Sequence, residues 1–151
     1  MAKVYQSWAS SEAARRTKVA TRGRDTRPEL RVRSALHRLG YRFRVCRRPL
    51  PDLRRSADIV FPRLKIAVFV DGCFWHGCPE HYSQPRTNTG YWANKIGRNM
   101  QRDRDTDARL KEAGWRVIRL WEHVAPTEAA HAVAAVIDER RQPASLPQAG
   151  I

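Results

Sequence analysis

Two short apolar runs, Ala57-Asp-Ile-Val-Phe61 and Leu64-Lys-Ile-Ala-Val-Phe-Val70, flank Pro62-Arg63. Short runs of β-branched and aromatic residues around a turn signal read as a hairpin of buried strands. A sheet that is apolar on both faces must be covered on both faces, which sets what the rest of the chain has to supply. Helices on either side are legible. Thr26-Arg-Pro-Glu29 joins a capping residue, a proline and a first-turn acid, and Leu30, Val32, Ala35, Leu36 and Leu39 follow at helical spacing up to Gly40. Tyr41, Phe43 and Val45 alternate with Arg42, Arg44 and Cys46, the pattern of a half-buried strand. Thr89–Ala113 reads as a long helix closed by Gly114. Trp115, Val117, Leu120 and Trp121 read as a further strand, and Thr127–Arg141 as a last helix with Val133, Val136 and Ile137 as its apolar face. The loops are 47–56, rich in Pro and Arg, and 72–88, dense in Gly, Pro, Cys and His. The order α-β-β-β-α-β-α predicts an α/β fold, a mixed sheet flanked by helices. No repeat or linker divides the 151 residues. The expected organisation is a basic arm over 1–25, one domain over 26–141 and a disordered tail over 142–151.

Charge narrows the partner. The chain carries a formal +14, and 24 of its 29 cations are Arg. Residues 1–57 hold 16 Lys/Arg against 4 Asp/Glu, a net +12, so the remainder is close to balanced at +2. Such a polarised excess points to a polyanion, most simply nucleic acid, and Arg suits bidentate phosphate and base contacts. No apolar run is long enough to span a bilayer, and the first residues lack an apolar signal core, so a cytoplasmic protein without a membrane partner is expected. With no spare amphipathic helix, a monomer is the default.

The densest chemistry lies in Asp71-Gly-Cys-Phe-Trp-His-Gly-Cys-Pro-Glu-His81. An odd cysteine count argues against a disulfide framework. Cys46 reads as a small hydrophobe in its alternating stretch. Cys73, Cys78 and His81 are spaced as C-x4-C-x2-H, suited to a tight zinc knuckle. His76 and His123 are both candidates for a fourth ligand. His123 is preferred because it follows a separate strand. Cys73, Cys78, His81 and His123 are therefore expected to hold a structural Zn²⁺. The alternatives are two inert thiols or a catalytic zinc with an open position.

Two carboxylates interrupt the apolar runs. Asp58 opens the first strand and Asp71 closes the second, so a hairpin would bring them toward one sheet edge. Hard cations such as Mg²⁺ take oxygen ligands and serve phosphodiester hydrolysis. Each acid could instead cap a strand or pair with one of the many arginines. Glu29, in a helix first turn, has the ordinary reading of a dipole-favoured acid.

These residues together resemble the very short patch repair (Vsr) DNA mismatch endonucleases, from about Thr26 to His123. The motifs that carry the resemblance are Asp25-Thr-Arg-Pro-Glu29, Arg55-Ser-Ala-Asp58-Ile, Phe69-Val-Asp-Gly-Cys-Phe-Trp-His76, Tyr91-Trp92 with Lys95-Ile96, Asn99, Arg102-Asp103-Arg104, and Gly114-Trp-Arg-Val with Trp121-Glu-His123. The resemblance implies a restriction-endonuclease-like fold with an embedded structural zinc site. It implies Mg²⁺-dependent nicking of one DNA strand at a thymine–guanine mismatch. Asp58 matches the metal-binding aspartate and the Val70 carbonyl a second metal contact. His76 matches the histidine that activates water, Asp103 the aspartate that supports it, and Glu29 a glutamate near the metal-bound water. Phe74, Trp75 and Trp92 match aromatics that wedge beside the mismatch, with Lys95, Arg22 and Arg24 as further DNA contacts. The family's role in repairing deaminated 5-methylcytosine implies a functional link to a cytosine-5 DNA methyltransferase. Asp71 departs from the pattern by standing where a second active-site histidine is usual, and is itself a candidate catalytic acid. The zinc positions mix Cys and His differently, and Lys18 stands in the arm where a methionine is expected. Two other activities fit the same residues: a same-fold nicking nuclease of restriction or defence acting on matched or modified DNA, and a non-enzymatic zinc module that binds nucleic acid.

Overall fold

The computed structural model describes residues 24–142, so the arm up to Gly23, with Lys18 and Arg22, and the tail from Pro143 lie outside the described residues. The chain runs α1 (Arg27–Arg38), β1 (Arg44–Arg47), β2 (Ala57–Phe61), a 3-10 turn (Pro62–Leu64), β3 (Ile66–Asp71), α2 (Thr89–Glu112), β4 (Arg116–Trp121) and α3 (Pro126–Arg141). The four strands form one mixed sheet in the order β1-β2-β3-β4. β1, β2 and β3 are antiparallel neighbours, whereas β3 and β4 are parallel. A parallel pair needs a long crossover, and the 72–88 loop with α2 makes it. The expected mixed α/β sheet flanked by helices is what the chain forms.

Both sheet faces are covered, which explains the unbroken apolar runs. Ile66 and Val68 of β3 point into a core shared with Ile59, Phe61 and Leu120 and closed by Val32 and Leu36 of α1 and Val133 and Ile137 of α3. Ala67 and Phe69 point the other way, into a core with Ala57, Val60, Leu53, Leu110 and Trp115 under α2. Alternate residues of one strand thus fill two cores, as a period of two requires. Gly114 ends α2 at φ +84°, a left-handed conformation that glycine adopts without steric cost.

The first strand is shorter and more exposed than its alternation predicts. β1 begins only at Arg44, and Val45 is 42 % exposed. It lies at the edge of the sheet, where no neighbour covers its outer side. Tyr41 and Phe43 still pack against the α1–α3 core. Cys46 is not a simple hydrophobe: it has φ +50°, and its Sγ lies 3.4 Å from Arg33 Nη2.

Candidate active site

The β2–β3 ladder runs from Phe61↔Ile66 to Ile59↔Val68. Beyond it, Asp58 Oδ2 accepts the Val70 N–H at 2.7 Å, so a carboxylate stands where backbone pairing would continue. Val70 thus meets Asp58 through its N–H. Burial pushes the Asp58 carboxyl up to about 7; the Val70 N–H opposes this, while the nearby Glu29 charge adds to it. A half-buried carboxylate raised in this way favours a proton or a cation.

Arg33 holds the other side of this residue. Its Nη2 donates to the Asp58 carbonyl at 3.0 Å and lies 3.4 Å from Glu29 Oε2, while Nη1 donates to Asp25 Oδ1 at 2.7 Å. Arg33 is only 7 % exposed, and its Nε is buried without a hydrogen-bond partner. Glu29, 4 % exposed, also accepts the Asp25 N–H at 2.8 Å and the Thr26 hydroxyl at 3.1 Å. It therefore stabilises the start of α1, as its first-turn position suggested, and also faces Asp58 electrostatically. The sequence analysis did not single out Arg33. Its signal was an arginine one turn after Glu29 on the apolar side of α1.

The end of β3 carries the second group. Asp71, His76 and Asp103 offer ligand atoms within 4.8 Å of one another. His76 Nδ1 lies 2.5 Å from Asp103 Oδ2 and 3.8 Å from Asp71 Oδ1. The Asp103 bond directs Nδ1 inward and leaves Nε2 as the basic nitrogen of a neutral ring. Burial alone would lower the His76 pKa, but the bond to Asp103 and the Asp71 charge outweigh it and the net shift is upward. Asp103 is shifted down: its bond to His76 overcomes the effect of burial.

Asp71 is engaged differently from the direct metal contact considered for it. It is 5 % exposed, and both of its oxygens face Arg119 Nη1, at 3.0 and 3.1 Å. The alternative of pairing with an arginine is the arrangement seen. Arg119 also lies 3.6 Å from Asp103 Oδ1 and 2.8 Å from Asp107 Oδ1, with its guanidinium 4.3 Å from the Phe69 ring centroid. It was missed at the sequence level. Its only signal was a cation inside the otherwise apolar Val117–Trp121 strand.

The loop after β3 is pinned to α2. Gly77 has φ +64°, and a Cβ there would fall 2.8 Å from Met100 Sδ, so only glycine lets the loop approach this closely. Asn99 Nδ2 donates to the Trp75 carbonyl at 3.0 Å, and Cys73 N–H donates to Glu122 Oε1 at 2.9 Å. Phe74 and Trp75 are half-buried and lie edge-on at 5.2 Å. Trp92, expected among the inserting aromatics, is only 5 % exposed, with Phe74 at 5.2 Å and Trp75 at 6.0 Å. In this conformation it is the platform beneath the other two. Lys95 is exposed one turn along α2, and Arg24 is exposed with Nε 3.4 Å from Asp25 Oδ2.

Cys73, Cys78, His81 and His123 converge, with one ligand atom from each within 4.8 Å of the others. Sulfur–nitrogen separations are 3.2 Å for Cys73–His123, 3.8 Å for Cys78–His81 and 3.9 Å for Cys78–His123. A tetrahedron with bonds of about 2.3 Å to sulfur and 2.0 Å to nitrogen has edges near 3.5 Å, so the set fits one zinc ion. His123 Nε2 faces Glu80 Oε2 at 3.7 Å, the kind of carboxylate that orients a ligating histidine. His76 points to Asp103 instead. Burial and the neighbouring Cys78 sulfur push the Cys73 thiol up to about 11, an effect that a bound cation reverses.

A half-buried carboxylate of raised pKa, an acid-held histidine and an aromatic loop on an Arg-rich chain suit phosphodiester chemistry on nucleic acid. The family model described as "DNA mismatch endonuclease Vsr" matches residues 10–82, and the chain belongs to the Vsr family. It is 50 % identical over 121 residues to the type II nicking enzyme V.NaeI of Lentzea aerocolonigenes, covering 79 % of this chain and 71 % of that one. It is 44 % identical over 114 residues to the type II nicking enzyme V.XorIIP of Xanthomonas oryzae pv. oryzae, covering 75 % and 82 %. It is 41 % identical over 100 residues to the DNA mismatch endonuclease Vsr of Escherichia coli K12, covering 66 % and 62 %. The family membership supports DNA as the partner and a DNA endonuclease over a non-enzymatic zinc module that binds nucleic acid. No described helix is long and apolar enough to cross a membrane.

Proposed function

We propose that the protein is a Mg²⁺-dependent endonuclease that nicks one strand of duplex DNA at a thymine–guanine mismatch. The observation that carries this reading is Asp58, a half-buried carboxylate raised to about 7 at the open end of the β2–β3 ladder, beside Glu29 and the Asp71–His76–Asp103 group. A Mg²⁺ held there would supply neutralisation of charge on the scissile phosphate. Asp58 supplies the hard oxygen ligand, with Glu29 and the Val70 backbone beside it. His76 Nε2 takes a proton from water as the water oxygen bonds to phosphorus and the phosphorus–oxygen bond to the leaving strand breaks. Asp103 holds the ring so that Nε2 is the acceptor and stabilises the imidazolium that forms. Arg119 holds Asp71 and Asp103 in place and favours their charged forms, although burial still leaves the Asp71 carboxyl raised. Cys73, Cys78, His81 and His123 would hold a structural Zn²⁺, tying the aromatic loop to the turn after β4.

Phe74 and Trp75 on the Trp92 platform are suited to wedge into a base step, where a mismatch is cheapest to unstack. Lys95, Arg24 and, in the arm, Arg22 contact the flanking backbone. The protein acts as a monomer in the cytoplasm, in functional association with a cytosine-5 DNA methyltransferase. The relatives named type II nicking enzymes support a second reading, a nicking enzyme tied to restriction or defence. The Asp71–Arg119 pair favours it too, since the family's usual histidine is absent there. A nicking assay on thymine–guanine, fully paired and methylated duplexes decides between them. Mg²⁺-dependent nicking confined to the mismatch is expected; equal nicking of the paired duplex sinks the first reading.

A further inference from the structure

The arginines fall into two populations. Arg33, Arg55, Arg109, Arg116 and Arg119 each pair with a carboxylate. Arg42, Arg44, Arg47, Arg48, Arg63 and Arg141 are among the described arginines that do not, and these six gather along β1, the Pro62–Leu64 turn and the end of α3. Arg42, Arg44, Arg63 and Arg141 line an open cleft of about 690 Å³ floored by Phe43 and Phe61. Arg44, Arg47 and Arg48 line a second of about 340 Å³ against Val60 and Trp115. Both clefts lie along β1 and the Pro62–Leu64 turn. That turn, with Arg63 on it and Arg44 opposite Val60, is toward the opposite end of β2 from Asp58, roughly 13 Å away at ~3.3 Å per strand residue, whereas Arg47 lies opposite Ala57, beside Asp58.

Two ordinary reasons for surface arginines do not cover this arrangement. Charges protect an edge strand from pairing, but Arg63 lies on the turn and Arg141 at the end of α3. Solubility is served by mixed signs, and among the described residues no acid lines either cleft. Six guanidiniums without counter-charge repel one another, a cost that a polyanion relieves. The cleft floor favours duplex over single strands. Phe43 is already packed, 4.5 Å from the His37 ring and 5.8 Å from Phe61, and so is not a free platform for unstacked bases. What the surface offers a nucleic acid is planar, bidentate phosphate contact.

We propose that the β1 edge and the Pro62–Leu64 turn form a phosphate track for the duplex flanking the cut, separate from the aromatic and acidic site. The inference rests on Asp58 marking the position of cleavage. The test uses the full chain and an Arg44→Ala/Arg63→Ala/Arg141→Ala variant, all three residues being exposed. Binding is measured by fluorescence anisotropy against salt, with no divalent metal added. One probe is a 24-base-pair mismatched duplex. The other is the same duplex with neutral methylphosphonates at every phosphate more than about four base pairs from the cut. On the native duplex the triple variant should bind about tenfold or more weakly, with a salt slope shallower by about 2–3. On the neutralised duplex the two proteins should bind alike. Equal affinity on the native duplex overturns the proposal. So does an equal loss on both duplexes, because the arginines would then serve the cleavage site itself. Nicking by Asp58→Ala, measured separately, tests the cleavage position without reference to these arginines.

Discussion

Asp58 Oδ2 accepts the Val70 N–H at 2.7 Å, taking the place of a ladder hydrogen bond at the end of the β2–β3 pair. The carboxylate is thereby held by backbone geometry where partial burial and the nearby Glu29 charge, only partly offset by Arg33, make its ionisation costly. Asp58→Asn keeps the shape and an oxygen for Val70 but loses the charge. Nicking should fall by about 10²-fold or more, with DNA binding retained.

The same residue gives a stability signature. Its folded pKa, about 7, lies above the ordinary 3.8, so the folded state binds the proton more tightly than the unfolded one. The associated stability is present below about pH 4 and is lost as pH rises through 7. Without divalent metal, Asp58→Asn should therefore be more stable than wild type at pH 8, by on the order of 3 kcal/mol, and show little gain at pH 4. Urea unfolding at the two pH values checks this, and a wild-type advantage at pH 8 would refute it.

His76 must be neutral to accept a proton, yet Asp103 and Asp71 raise its pKa above the ordinary 6.5. The acid limb of the nicking rate should lie above pH 6.5. In Asp103→Asn that limb should move to lower pH while the plateau rate falls by about 10²-fold, because the ring loses its orientation. An unmoved limb would separate Asp103 from the titrating group.

Arg119 stands between Asp71, Asp103 and Asp107. Removing one cation from three partly buried acids leaves uncompensated charge. Arg119→Met should cost about 2 kcal/mol at pH 8 and less at pH 5, where the freed carboxylates can take up protons. Denaturant midpoints at both pH values read this out. A loss independent of pH would assign Arg119 to packing on Phe69 instead.

The Cys73–Cys78–His81–His123 set predicts about one zinc per chain by metal analysis. Cys78→Ser should lose most of that zinc and melt about 10 °C lower, since binding energy at such a site is folding energy. His76→Ala should keep its zinc. Full zinc in Cys78→Ser would refute the ligand set.

Much of this architecture is legible in the residues themselves. The two apolar runs demand a sheet covered on both faces. The capping residues and glycines bound the helices, and the spacing of Cys73, Cys78 and His81 marks a ligand knuckle. These are local properties, set by side-chain volume, polarity and backbone preference within a few positions. What the residues alone did not determine was how charges pair across the chain. Arg119 meets Asp71 because β3 and β4 run parallel with Phe69 opposite Arg119, a register that no local pattern encodes. Arg33 reaches the Asp58 carbonyl because α1 lies across β2, and Trp92 sinks beneath Phe74 because Gly77 lets the loop descend onto α2. Sequence determined which groups were present and which segments would be buried. Only the tertiary structure decided which acid is neutralised by an arginine and which is held by a backbone N–H, because that depends on distances of a few ångströms between residues far apart in the chain.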